Sequence, residues 1–135
     1  MIKKILFICK HNVFRSKVAE ACFKKLNKNR DYIAKSAGLI TIRTINPIQR
    51  KVCKWSGIII KSPSRGISVE LLKWADLIII VANDVPPHLF SYDKRRETKS
   101  IVWRIPDVFN NKEQDIEKVV SSIRKKIKSL IKNLK

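Results

Sequence analysis

Cys9, Arg15 and Ser16 bring a nucleophile, a forked cation and a hydroxyl into one short stretch of chain. A cysteine thiolate attacks electrophilic centres. The planar guanidinium of Arg15 can bridge two oxygens of a phosphoryl group. Ser16 can give its hydroxyl proton to the sulfur, steadying the thiolate both at rest and as a leaving group. Between them lie Lys10, His11, Asn12, Val13 and Phe14. If a helix opens near Arg15, the backbone N–H groups of that loop and the positive end of the helix dipole converge into an anion cradle. The same dipole and guanidinium favour the ionised sulfur. A nucleophile under a phosphate-shaped cradle points to phosphoryl transfer through a covalent phosphocysteine, with the loop donors and Arg15 stabilising the charge on the transferring group.

A cysteine and an arginine six positions apart make a common pattern, so the elements around them carry the specificity. Residues 5–9 form a short continuous apolar run, the mark of a strand buried on both faces. A helix is expected from about 15 to 28, with Val18, Ala19, Cys22 and Leu26 on one face and lysines opposite. A second strand fits 32–37 and ends at Gly38. Asn46-Pro47 reads as an N-cap and first helical residue, for a helix reaching about Trp55 and stopping at Ser56-Gly57. Residues 58–60 suggest a short extended piece, and 62–66 a loop. Ser68 can cap a short helix with Glu70 near its positive end. Residues 77–82 are the strongest strand in the chain, and Pro86-Pro87 opens a loop or short helix. A further strand fits 101–103, ended by Ile105-Pro106-Asp107. From about 112 to 134 Ile116, Val119, Val120, Ile123, Ile127, Leu130, Ile131 and Leu134 repeat at helical spacing.

Strands alternating with helices predict an α/β protein: one three-layer domain over residues 1–135, a parallel sheet with helices on both faces. Ligands of such sheets bind beyond the carboxyl ends of the strands, where the first strand delivers Cys9. A length of 135 residues suits one domain, and 44% hydrophobic with 30% charged residues is a soluble composition. The balance of 30 Lys+Arg against 11 Asp+Glu gives a formal +19, a surface that attracts anions of any kind. The 3 cysteines and 2 histidines show no metal-ligand spacing and no Cys-x-x-Cys, so no metal is expected and free thiols in a reducing cytosol are. The apolar run at 5–9 is shorter than a signal peptide needs, and no stretch is long enough to cross a membrane. A cytoplasmic location is the expectation.

The stretch from Cys9 to Ala21 resembles the phosphate loop of the low-molecular-weight protein tyrosine phosphatases, which carry Cys-x-Gly-Asn-x-Cys-Arg-Ser-x-x-Ala-Glu-Ala. The resemblance extends to Ser36-Ala37-Gly38, to Ala75-Asp76-Leu77-Ile78 and to Ile105-Pro106-Asp107, which is similar to the loop ending in that family's Asp-Pro-Tyr. It implies a four-stranded parallel sheet in the order 2-1-3-4 and an activity without cofactor. It implies a phosphotyrosyl protein or small aryl phosphate as substrate, with phosphate, sulfate and vanadate as ligands. By resemblance Cys9 is the nucleophile, Arg15 the clamp, and Asn12 the residue holding the loop's left-handed backbone. Ser16 then supports the thiolate. Asp107 is the general acid and, in the second step, the base that activates water. Lys10, His11, Val13 and Phe14 complete the phosphate loop, and Phe109 is the expected aromatic wall for a phenyl ring. Three departures stand out: His11 in place of the family's Gly, Phe14 in place of its second loop cysteine, and Val108-Phe109 after Asp107.

Two other readings stay open. Arsenate reductases coupled to thioredoxin share this cradle with a His-Asn loop, but they relay a disulfide through two more cysteines after the third strand. Residues 82–92 hold none, and Cys22 and Cys53 fall at core positions of the first two helices. The alternative from another class is a basic binding protein without catalysis, its partner nucleic acid or an acidic protein. Lys125, Lys126, Lys128, Lys132 and Lys135 line the last helix, yet such a run is ordinarily a solvated face, and no nucleic-acid motif accompanies it.

Overall fold

Alternating side chains of one strand build both cores. The computed structural model describes residues 3–41, 43–61, 63–90 and 99–134; of the positions discussed above, Ser62 of the expected loop, Tyr92 and the residue before it, and Lys135 lie outside them. Strand β1 (Lys3–Cys9) sends Ile5 and Phe7 into one hydrophobic cluster and Leu6 and Ile8 into the other. A strand with apolar residues on both faces belongs at the centre of a sheet. β1 pairs in parallel with β2 (Tyr32–Gly38) on one side and β3 (Leu77–Val81) on the other. β4 (Lys99–Trp103) adds to β3, giving the order β2-β1-β3-β4.

Helices α1 (Arg15–Leu26), α2 (Pro47–Trp55) and α4 (Glu113–Asn133) bury Val18, Cys22, Phe23, Val52, Cys53, Ile116, Val120, Ile123 and Ile127 in the larger cluster. Helix α3 (Val69–Trp74) covers the opposite face through Leu71. Helices thus lie on both faces of a four-stranded parallel sheet. Local chemistry sets their ends. The Asn46 side chain accepts hydrogen bonds from the Ile48 and Gln49 N–H groups ahead of Pro47, and the Ser68 hydroxyl accepts from Leu71 N–H. No helix among the described residues is long and apolar enough to cross a membrane.

Differences from the sequence-based expectation have physical causes. β4 begins at Lys99, two residues early, because its first residues face water and leave no apolar run to read. Residues 58–60 pair with no strand, yet Ile58 and Ile60 still plug the larger core. Lys17, expected on the wet face of α1, is buried, its Nζ donating to the Pro63 carbonyl at 3.0 Å. Burial holds the Lys17 ammonium below its ordinary pKa, against the opposing pull of Glu20.

The outer strand and the loop after β1 touch at Gly38. A Cβ there would lie 2.7 Å from both the Asn12 nitrogen and the His11 carbonyl carbon. Only glycine lets the end of β2 approach the loop this closely. Beyond it, Leu39 N–H donates to Cys9 O at 3.2 Å and Ile40 N–H to Lys10 O at 2.8 Å.

Candidate active site

The chain reverses between β1 and α1 in five residues, and Asn12 takes the strain with φ 55°. Asparagine is among the few side chains that tolerate this left-handed backbone. Its own polar atoms fix the loop. Arg65 N–H donates to Asn12 Oδ1 at 2.8 Å. A backbone N–H can only donate, so the amide orientation is determined, and Nδ2 faces the serines. Asn12 Nδ2 donates to Ser16 Oγ at 2.7 Å and to Ser36 Oγ at 3.0 Å. Each hydroxyl thus accepts a hydrogen bond from Asn12 and keeps its own hydrogen to donate. The proton of Ser36 goes to Glu20 Oε1 at 2.5 Å. Ser16 Oγ lies 3.0 Å from Cys9 Sγ, and either atom can be the donor. Asn12 N–H also reaches that sulfur, at 3.3 Å. The Ser16 hydroxyl and the Asn12 backbone N–H thus both lie against Sγ.

His11 is also turned inward, only 7% exposed. Its Nδ1 lies 2.9 Å from the Ile40 carbonyl, which can only accept, so Nδ1 is the donor. His11 thus ties the segment after β2 to the loop. The Phe14 side chain is buried in the larger core and that of Val13 is almost fully covered. In both residues it is the backbone, not the side chain, that can face a ligand. Lys10 is partly exposed and contributes its carbonyl to Ile40.

Arg15 opens α1 with its side chain buried, the guanidinium reaching across to the ends of β3 and β4. Nη1 donates to the Ile105 carbonyl at 3.0 Å. Nη2 donates to Asp84 Oδ2 at 3.3 Å, and Asp107 Oδ2 lies 3.7 Å from it. Asp84 Oδ1, at 3.0 Å, is in ion-pair range but off the N–H direction; it is buried without a hydrogen bond. The sequence reading missed Asp84. The available signal was its place just after the strongest strand, at the carboxyl edge next to β1. Replacing Arg15 by lysine keeps the charge and loses the fork. Turnover of an aryl phosphate should then fall by about 10²–10³, with weaker competitive inhibition by inorganic phosphate. Unchanged kinetics would remove Arg15 from the clamp.

Asp107 follows β4 and is largely buried. Its Oδ1 accepts from Val108 N–H at 2.9 Å, leaving Oδ2 between Arg15 and Arg43, the latter at 3.8 Å. Phe109 stands out into solvent, 79% exposed, with the Arg43 guanidinium 6.0 Å from its ring centroid. The structure therefore gathers Cys9, Asn12, Arg15, Ser16 and Asp107 at one edge of the sheet, with Phe109 at the rim. Cys22 and Cys53 are buried elsewhere in the core. Burial raises both thiols, that of Cys53 to about 12. Among the described residues no three His, Cys, Asp or Glu side chains gather as a metal site.

A parallel sheet whose central strand ends in a cysteine, followed by a tight loop and a helix that opens on a buried arginine, defines a class of α/β proteins. The sequence profile of the low molecular weight phosphotyrosine protein phosphatases matches residues 4–135, and the chain belongs to that family. Solved structures agree on the fold. The low molecular weight protein tyrosine phosphatase from T. tengcongensis is similar over 98% of this chain and 99% of its own, with 25% identity and a TM-score of 0.84. The YwlE arginine phosphatase from Geobacillus stearothermophilus matches over 96% and 91%, with 19% identity and a TM-score of 0.83. An arsenate reductase from Archaeoglobus fulgidus matches over 96% and 99%, with 24% identity and a TM-score of 0.75. No curated protein matches the chain.

Proposed function

We propose that the protein hydrolyses phosphotyrosine, and aryl phosphate monoesters generally, through a phosphocysteine on Cys9. The observation that carries this reading is the position of Cys9 Sγ at the end of the central strand, against both the Ser16 hydroxyl at 3.0 Å and the Asn12 backbone N–H at 3.3 Å. In the first step Sγ attacks phosphorus and the bond to the phenolic oxygen breaks in line with it. Asp107 gives its proton to the departing phenolate. Arg15 and the loop N–H groups stabilise the charge on the three equatorial oxygens. In the second step the Asp107 carboxylate takes a proton from water as the water attacks phosphorus. The P–S bond breaks, and the thiolate returns to the Ser16 and Asn12 donors. Exposed Phe109 offers a face for the phenyl ring.

The burial of Cys22 and Cys53 supports hydrolysis over arsenate reduction, since a disulfide relay needs a second accessible thiolate. The reading takes residues 1–135 as one domain, supported by two cores that share a single sheet. It places the protein in the cytoplasm, supported by three unpaired thiols. Three assays run side by side test it: an aryl phosphate, phosphoarginine, and arsenate with thioredoxin. Hydrolysis of the aryl phosphate, inhibited by vanadate, is expected. Turnover confined to either of the other two would overturn the reading.

A further inference from the structure

The segment that follows β2 is fastened to the cradle at three points: Leu39 N–H on Cys9 O, Ile40 N–H on Lys10 O, and His11 Nδ1 on the Ile40 carbonyl. Arg43 lies three residues further on, its side chain half exposed. It stands beside Asp107 and the Phe109 ring. At 3.8 Å from Asp107 Oδ2 the contact is too long for a hydrogen bond, and Asp107 shares that oxygen with Arg15. Asp107 therefore does not saturate the Arg43 fork. The chain from Tyr32 to Val69 contains no acidic residue, so the rim segment brings no carboxylate of its own to compete for Arg43.

We propose that Arg43 is a specificity-determining residue that reads a carboxylate beside the phosphorylated tyrosine, so that the preferred substrate is a phosphotyrosyl peptide with an acidic flank. The inference rests on the phosphotyrosine reading above. A phenyl phosphate seated on the cradle leaves the mouth along Phe109. The peptide backbone then lies at the level of the rim, and the side chain next to the tyrosine falls within reach of the Arg43 fork. A glutamate there gains a charge-assisted pair, whereas a lysine meets a like charge. The pair is partly exposed, so its worth is modest and falls with added salt. The general +19 field acts differently: it draws every anion to the whole surface and does not distinguish which residue is changed.

The test compares phosphotyrosyl peptides flanked by glutamate or by glutamine, in turnover and in the binding of their non-hydrolysable phosphonate forms. The wild-type protein is expected to favour glutamate by about three- to fivefold. Arg43→Gln should remove most of that preference, leaving only the small share contributed by the general field. Lys132→Gln removes the same charge from the last turn of α4, a helix about 30 Å long. It should leave the ratio unchanged. The inference fails if the wild type shows no preference, if Arg43→Gln keeps it, or if Lys132→Gln loses it equally. Absence of turnover on a plain aryl phosphate would overturn the phosphatase reading instead, and the phosphonate binding ratio would still decide the role of Arg43.

Discussion

Cys9→Ser should abolish aryl phosphate hydrolysis while leaving inorganic phosphate and vanadate bound with little loss. Loss of a covalent nucleophile costs on the order of 10⁶ in turnover where it has been isolated from binding. The serine hydroxyl ionises far less readily than a thiol, and the groups that lie against Sγ cannot make up that gap. The loop that would hold the anion owes its shape to Asn12, Ser36 and Arg65 rather than to the sulfur. Steady-state turnover and calorimetric titration with phosphate separate the two effects. Turnover within tenfold of wild type would exclude a covalent step at Cys9.

Asp107→Asn is the second large effect. Asparagine preserves the size of the side chain, and its Oδ1 can still accept from Val108 N–H, so the loop should keep its place. What disappears is the carboxyl group proposed as the general acid. Turnover is expected to drop by about 10²–10⁴ for a phenyl leaving group. The deficit should shrink for leaving groups acidic enough to depart unprotonated. Equal deficits across a series of leaving groups would show that Asp107 is not the acid.

The route by which Cys9 meets Ser16 was legible from the amino-acid sequence because it is local. One apolar run, one tight loop and one amphipathic helix bring the two together, and each has its own periodicity or cap. The parallel α/β architecture was legible for the same reason. The strand order 2-1-3-4 came only through family resemblance, since no residue pattern within a strand says which neighbour it pairs with. Asp84 and Arg43 escaped because their importance is wholly tertiary. Asp84 matters only because β3 lies beside β1, and Arg43 only because the segment after β2 is laced to the loop. The burial of Lys17 was hidden likewise: its partner is a backbone carbonyl 46 residues away, which charge and periodicity cannot indicate.

The near-contact of Gly38 with Asn12 has a consequence for how the protein would wear out. With no side chain to act as a spacer, the loop after β1 has no shape independent of the end of β2. The outer side of that strand is bonded at Gly38, whose N–H donates to Arg65 O and whose carbonyl accepts from Ile67 N–H, so the loop's shape rests on the 65–67 segment as well, and such surface segments open before a core melts. Inactivation and denaturation are then separable events in this molecule. Heat or dilute denaturant would spoil the curvature of the loop while Phe7, Ile79 and Ile123 still hold the sheet and helices together.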